Sequence, residues 1–140
     1  IALARADSEI WLDGGHNPGA GLAIAEALAA LEEKQPRPLV MICGMINTKD
    51  QRGYFEAFAG MVRHVFTVPV PMSEPGVAPE ILAERARETG LQAEPLGSVP
   101  EALALLRDNW NMAEPAPRIL ICGSLYLAGT VLDENGTPPD

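Results

Sequence analysis

The chain has 140 residues, 47% hydrophobic and 21% charged, with a net charge of −9. That length fits one domain, able to bury a core without disulfides or metals, and the composition is globular rather than disordered. The acidity argues against nucleic-acid or acidic-membrane partners, which need a basic surface, and no apolar run approaches the roughly 18 residues of a membrane span.

The opening, Ile1 to Asp7, is too short and too charged for a signal peptide. It lacks an initiating Met, so the chain is expected to be a piece of a longer, cytoplasmic protein. Ile1 to Arg5 has the makings of an edge strand, and residues 9–12 read as the first inner strand. Pro18 to Glu33 reads as a helix, with Leu22, Ala25, Leu28, Ala29 and Leu31 at helical spacing. Gln35-Pro36-Arg37-Pro38 breaks it. Leu39 to Cys43 is a continuous apolar run, as expected of a strand covered on both faces.

A second helix is predicted from about Gln51 to Met61, and a strand over residues 64–68. Prolines 69, 71 and 75 with Gly76 mark a loop. Pro79 to Thr89 reads as a third helix, with Gly90 as its stop. Gln92 to Glu94 can add a short strand, and Ser98 can cap a helix over Val99 to Asn109. Arg118 to Cys122 reads as the last parallel strand, followed by a helix from Ser124 to Leu132. The Gly/Pro/Asp-rich end, 133–140, is expected to be a flexible tail.

This alternation predicts an α/β fold: a Rossmann-like three-layer sandwich, a mostly parallel sheet with helices on both faces, as one domain over 1–132. Cys43 and Cys122 both close an apolar strand in the pattern Ile-Cys-Gly. They read as buried free thiols in a reducing compartment, and no Cys/His spacing suits a structural zinc.

The densest chemistry lies in Leu12-Asp13-Gly14-Gly15-His16-Asn17-Pro18, between a strand and a helix. Such turns sit at the carboxyl edge of parallel strands, where ligands bind. Glycines let a backbone approach closely, Pro suits the first helical position, and a helix start offers free N–H groups to an anion. Asp13 and His16 add groups able to reach a ribose, a phosphate or a metal-bound water. Asn17 can cap the helix.

Asp-Gly-Gly-His-Asn-Pro over 13–18 resembles the signature that opens the C-terminal domain of the folylpolyglutamate synthase/dihydrofolate synthase family, ATP-dependent ligases of the Mur ligase superfamily. Cys43 to Asp50 resembles that family's G-x-x-x-D-K-D loop, with Thr48 in place of the first acid, and Gly123 to Gly129 resembles its G-S-L-Y-L-x-G run. The resemblance implies that Asp13, His16 and Asn17 meet ATP. It also implies that Gly14, Gly15, Asn47, Lys49, Asp50 and Ser124 touch substrate or nucleotide. No catalytic residue and no metal ligand is assigned to this stretch.

The resemblance further places the phosphate loop and Mg²⁺ site in an N-terminal ATPase domain. The sequence here indeed contains no Gly-rich turn ending in Gly-Lys-Ser/Thr. The implied reaction activates a carboxylate of dihydropteroate or a reduced folate as an acyl phosphate, which the amine of glutamate then attacks. The protein would be a monomer, and this chain alone would be inactive.

Plainer readings stand beside these. Asp13 can hold an Asx turn, His16 can brace the same turn, and Asn47 can simply shape its own. Ser124 can cap a helix, and Lys49 and Asp50 can be solvated charges. Tyr126 is expected to pack, His64 to have no companion, and Glu84, Arg85, Arg87 and Glu88 to form a solvated helix face. Three other classes remain: a Mur-type ligase domain for cell-wall precursors, a nucleotide-binding module of an oxidoreductase, and an interaction domain. The oxidoreductase reading is weakened because the glycines at 14, 15, 19 and 21 do not form G-x-G-x-x-G.

Overall fold

Two apolar runs, Leu39–Cys43 and Arg118–Cys122, are buried along their whole length and form the centre of a parallel sheet. The computed structural model describes residues 9–13, 18–45, 51–70, 77–110 and 115–122. In chain order the elements are β1 (Glu9–Asp13), α1 (Pro18–Lys34), β2 (Leu39–Cys43), α2 (Gln51–Glu56), β3 (His64–Thr67), α3 (Pro79–Glu88), β4 (Ala93–Pro95), α4 (Val99–Asn109) and β5 (Arg118–Cys122). All pairings are parallel, and the strand order is β1-β5-β2-β3-β4. The last strand therefore lies between the first two.

Alternation of side chains along each strand sends two apolar sets to opposite faces. Met41, Cys43, Val65, Leu120 and Cys122 pack under α1, α2 and α3. Val40, Ile42, Phe66, Ile119 and Ile121 pack under α4 through Val99, Ala102, Leu103 and Leu106. Helices thus cover both faces, as the alternation predicts. The predicted edge strand over 1–5, the helix over 124–132 and the tail lie outside the described residues.

The helix ends follow local chemistry. Ser98 Oγ accepts the Glu101 N–H at 3.2 Å, and Glu101 Oε2 accepts the Gly97 N–H at 3.1 Å, so both partners of an S-x-x-E pair satisfy orphan donors. At the end of α3, Gly90 takes φ +90°. Its N–H donates to Arg87 O at 3.0 Å and the Leu91 N–H to Ala86 O at 3.3 Å, a Schellman closure.

Three expectations need correction. The buried stripe of α1 is Gly21, Ala25 and Leu28, whereas Leu22 is 53% exposed and Ala29 faces solvent. In so Ala-rich a helix several stripes have equal apolar content, and the sheet selects one. Helix α2 stops at Glu56, not Met61: the next three bonds, Phe58 to Phe55, Ala59 to Glu56 and Met61 to Phe58, are of the i→i−3 type, and Gly60 at φ +81° turns the chain. The α3 charges are not merely solvated. Arg87 donates twice to Ala93 O, at 2.8 and 3.0 Å, and so braces the start of β4, while Glu88 accepts from both Arg52 and Arg85.

Candidate functional site

The carboxyl ends of the strands lie in register across the sheet. Asp13 is the partner of Cys122, Cys122 of Cys43, Cys43 of Thr67 and Thr67 of Pro95. The residue after each of β2, β3 and β4 extends the ladder one step. Gly44 N–H donates to Cys122 O at 3.2 Å, Val68 N–H to Cys43 O at 3.0 Å, and Leu96 N–H to Thr67 O at 2.8 Å. Thr67, fully buried, donates its hydroxyl to Pro79 O at 2.7 Å and ties the start of α3 to the same edge. Val77 N–H, donating to Met45 O at 2.8 Å, does the same for the approach to α3. The edge is thus a laterally braced row rather than five loose ends.

The three motifs leave this row from neighbouring strands. The backbone of Asp13 is the last of β1, and Pro18 opens α1. Gly14, Gly15, His16 and Asn17 fall between them and lie outside the described residues. Asn47, Lys49 and Asp50, between Met45 and the start of α2 at Gln51, lie outside them too, as do Ser124 and Tyr126, just beyond β5. Because β5 sits between β1 and β2, the turn after Cys122 starts between the other two. Only four residues separate Asp13 from the start of helix α1, which has no acidic residue in its first turn, so no carboxylate there opposes an anion. Gly21 lets α1 approach α2: a Cβ there would lie 3.0 Å from Tyr54 O.

Cys43 and Cys122 are free, fully buried and register partners on adjacent strands. Interaction with the neighbouring Cys122 thiol, and then burial, hold the Cys43 thiol well above its ordinary pKa. The echo of Ile-Cys-Gly in the sequence is the signal for this contact, since two strands ending alike pair their ends when they become neighbours.

The opposite edge is more polar than the sequence implies. His64 is not alone: Nε2 lies 3.2 Å from Glu94 Oε1, and its ring packs on Phe66 at 4.7 Å. Arg118 is buried at the start of β5, donates to Gln35 O at 3.0 Å and lies 4.0 Å from Glu32. It closes the carboxyl end of α1, a favourable place for a cation. Beside it a cavity of about 210 Å³ is lined by Leu28, Leu39 and Met61 among others. Among the described residues no three His, Cys, Asp or Glu side chains come together as a metal site. None of the described helices is long and apolar enough to cross a membrane.

The family model of the Mur ligase glutamate ligase domain matches residues 3–125. The chain belongs to this family. It is 33% identical over 122 residues to a folylpolyglutamate synthase of Lacticaseibacillus casei, covering 87% of this chain and 26% of that protein. Its fold is that of Mycobacterium tuberculosis folylpolyglutamate synthase, complexed with ADP and AMPPCP, at a TM-score of 0.77 and 24% identity over 94% of this chain and 30% of that one. Escherichia coli FolC in complex with DHPP and ADP matches at a TM-score of 0.74 and 21% identity, over 91% of this chain and 28% of that one. The chain therefore spans roughly a quarter to a third of the length of these relatives. At the identities of the two solved structures the likeness is one of fold.

Proposed function

We propose that the chain is the C-terminal domain of a longer ATP-dependent ligase that adds glutamate to dihydropteroate or to reduced folates. The observation that carries this reading is the adjacency of β1, β5 and β2, whose ends lead into the three motif-bearing turns. The glutamate chemistry is supported by the family description, and the folate acceptor by the Lacticaseibacillus casei relative. That same relative favours a folate acceptor over a cell-wall precursor.

Bound ATP would supply the phosphoryl group that activates the acceptor carboxylate. The residues of this chain would hold the nucleotide from one side. The Asp13 carboxylate accepts hydrogen bonds from nucleotide hydroxyl groups, and His16 adds a donor beside it. Asn17 and the first amides of α1 meet the anionic end, where the helix dipole favours negative charge. Gly14 and Gly15 allow the backbone to come close. Lys49 would offer a cation to a phosphate or to a substrate carboxylate, and Asn47, Asp50 and Ser124 are the further residues proposed to contact substrate or nucleotide. The reading assigns the phosphate loop and the Mg²⁺ ligands to a preceding ATPase domain, which would close against this edge. The protein would work as a cytoplasmic monomer.

In the full-length protein, Asp13→Ala is expected to weaken ATP binding ten- to a hundredfold, since a hydrogen bond to a charged group is worth about 1.5–3 kcal/mol. The melting temperature should hardly move. Unchanged ATP affinity together with a collapsed melting temperature would make Asp13 a turn residue and remove the nucleotide from this edge.

A further inference from the structure

We propose that Cys43 and Cys122 form an oxidisable dithiol, and that a peroxide converts it to a cross-strand disulfide that clamps the carboxyl ends of β2 and β5. The two residues are register partners on adjacent parallel strands and lie on the same face under α1 and α2. Neighbouring strands stand about 4.7–4.9 Å apart, inside the roughly 4.4–6.8 Å that a disulfide spans between Cα atoms. The Cβ atoms of such partners are separated by about the same 4.8 Å, whereas a relaxed disulfide wants about 3.5–4.5 Å. Closing the bond therefore draws the two strand ends together by some tenths of an ångström. A bond held under that tension is readily reduced again, which is the character of a regulatory rather than a structural disulfide.

The chemistry balances with one peroxide. One thiol gives up its proton and its thiolate attacks one peroxide oxygen; the O–O bond breaks, and the departing hydroxide takes up that proton, giving a sulfenic acid and one water. The second thiol then attacks that sulfur, the S–S bond forms, and the hydroxyl leaves as a second water. The two sulfurs lose two electrons and two protons in total, and hydrogen peroxide is reduced to two waters. Full burial of both thiols, and the raised pKa of Cys43, make the reaction slow and gate it by opening of the strand ends.

The consequence for the turns follows from one bond. The Gly44 N–H donates to Cys122 O, so the first residue after β2 is tied to the last residue of β5. Pulling the strand ends together suppresses their fraying and fixes that link. Any effect on catalysis rests on the ligase reading above; the bond itself does not.

The test treats the full-length protein with hydrogen peroxide, blocks remaining thiols and maps peptides by mass spectrometry. The expected result is a single linked peptide carrying Cys43 and Cys122, abolished by dithiothreitol and absent in Cys122→Ala. Exchange of the Gly44 amide should be at least tenfold slower in the oxidised protein. Separate sulfinic acids with no linked peptide would overturn the proposal, as would a linked peptide with unchanged Gly44 exchange. Glutamate-dependent ATP turnover of the reduced protein is measured alongside. Its absence would count against the ligase reading alone and leave the peptide and exchange results to decide the disulfide.

Discussion

Gly21 sets how closely α1 approaches α2, and a substitution series there measures that constraint. A Cβ on Gly21 would lie 3.0 Å from the Tyr54 carbonyl oxygen and 3.1 Å from Cδ1 of its ring. Neither neighbour yields easily: one atom is backbone, and the ring is fully buried between Phe55 and Phe58. Two opposing effects meet in Gly21→Ala. Replacing a helical glycine gains up to about 1 kcal/mol of helix propensity, and less near the first turn. Overpacking a filled contact costs about 1–3 kcal/mol. The contact is expected to win, with a net destabilisation of about 1 kcal/mol and a fall in melting temperature of about 3 °C for a chain of this size. Gly21→Val adds two more methyl groups at the same place and keeps less of the propensity gain than Gly21→Ala, so about 3 kcal/mol or more is expected. Urea unfolding of the three proteins gives the comparison, with equal m-values required for it to be fair. Gly21→Ala emerging more stable than the parent, or equal to Gly21→Val, would refute the claim that α1 and α2 touch there without slack.

Ser98→Ala should cost about 1 kcal/mol, because the Glu101 N–H loses its side-chain acceptor at the start of α4, and Ser98→Gly should cost less; urea midpoints decide it. Stability should fall on the alkaline side. The Cys43 pKa is raised in the fold above its unfolded value, so its contribution is complete below the unfolded thiol pKa of about 8.5 and is lost as pH rises above it. Apart from the Cys122 thiol and the Tyr54 hydroxyl, the side chains clustered around it are apolar, and Cys43→Val should flatten that alkaline slope; a slope identical in both proteins would trace it to other groups. In the full-length protein, ATP should slow amide exchange at Asp13 and at Gly44 to Met45 while leaving β4 and the end of α4 unchanged. Protection confined to the helix faces would contradict a nucleotide at the carboxyl edge.

The elements most legible in the sequence are those whose environment is uniform. Leu39–Cys43 and Arg118–Cys122 are apolar at nearly every position because helices cover both faces, and a run without alternation says so directly. Helix α3 is equally plain, since Pro79 and Gly90 punctuate it through backbone restrictions of their own. What the sequence conceals depends on neighbours that are distant along the chain. The companion of His64 is Glu94, on the adjacent strand and 30 residues away. Helix α2 gives way to i→i−3 bonds after Glu56, where buried Phe55 and Phe58 stand and the sequence carries no breaker.

Strand order is the clearest case, and the functional reading depends on it. Alternating helices and strands require parallel neighbours but do not say which strands are neighbours. Had β5 paired outside β4, the turn after Cys122 would have emerged four strands from Asp13, about 19 Å away at the usual strand spacing, too far for one small ligand to bridge. With β5 between β1 and β2, the same turn starts about 5 Å from each of the other two. The motifs are short and separated by as many as 73 residues, from Asp50 to Gly123. It is this single topological choice that turns three weak signatures into one candidate site. It also explains why two cysteines 79 residues apart in sequence come to be register partners at its base.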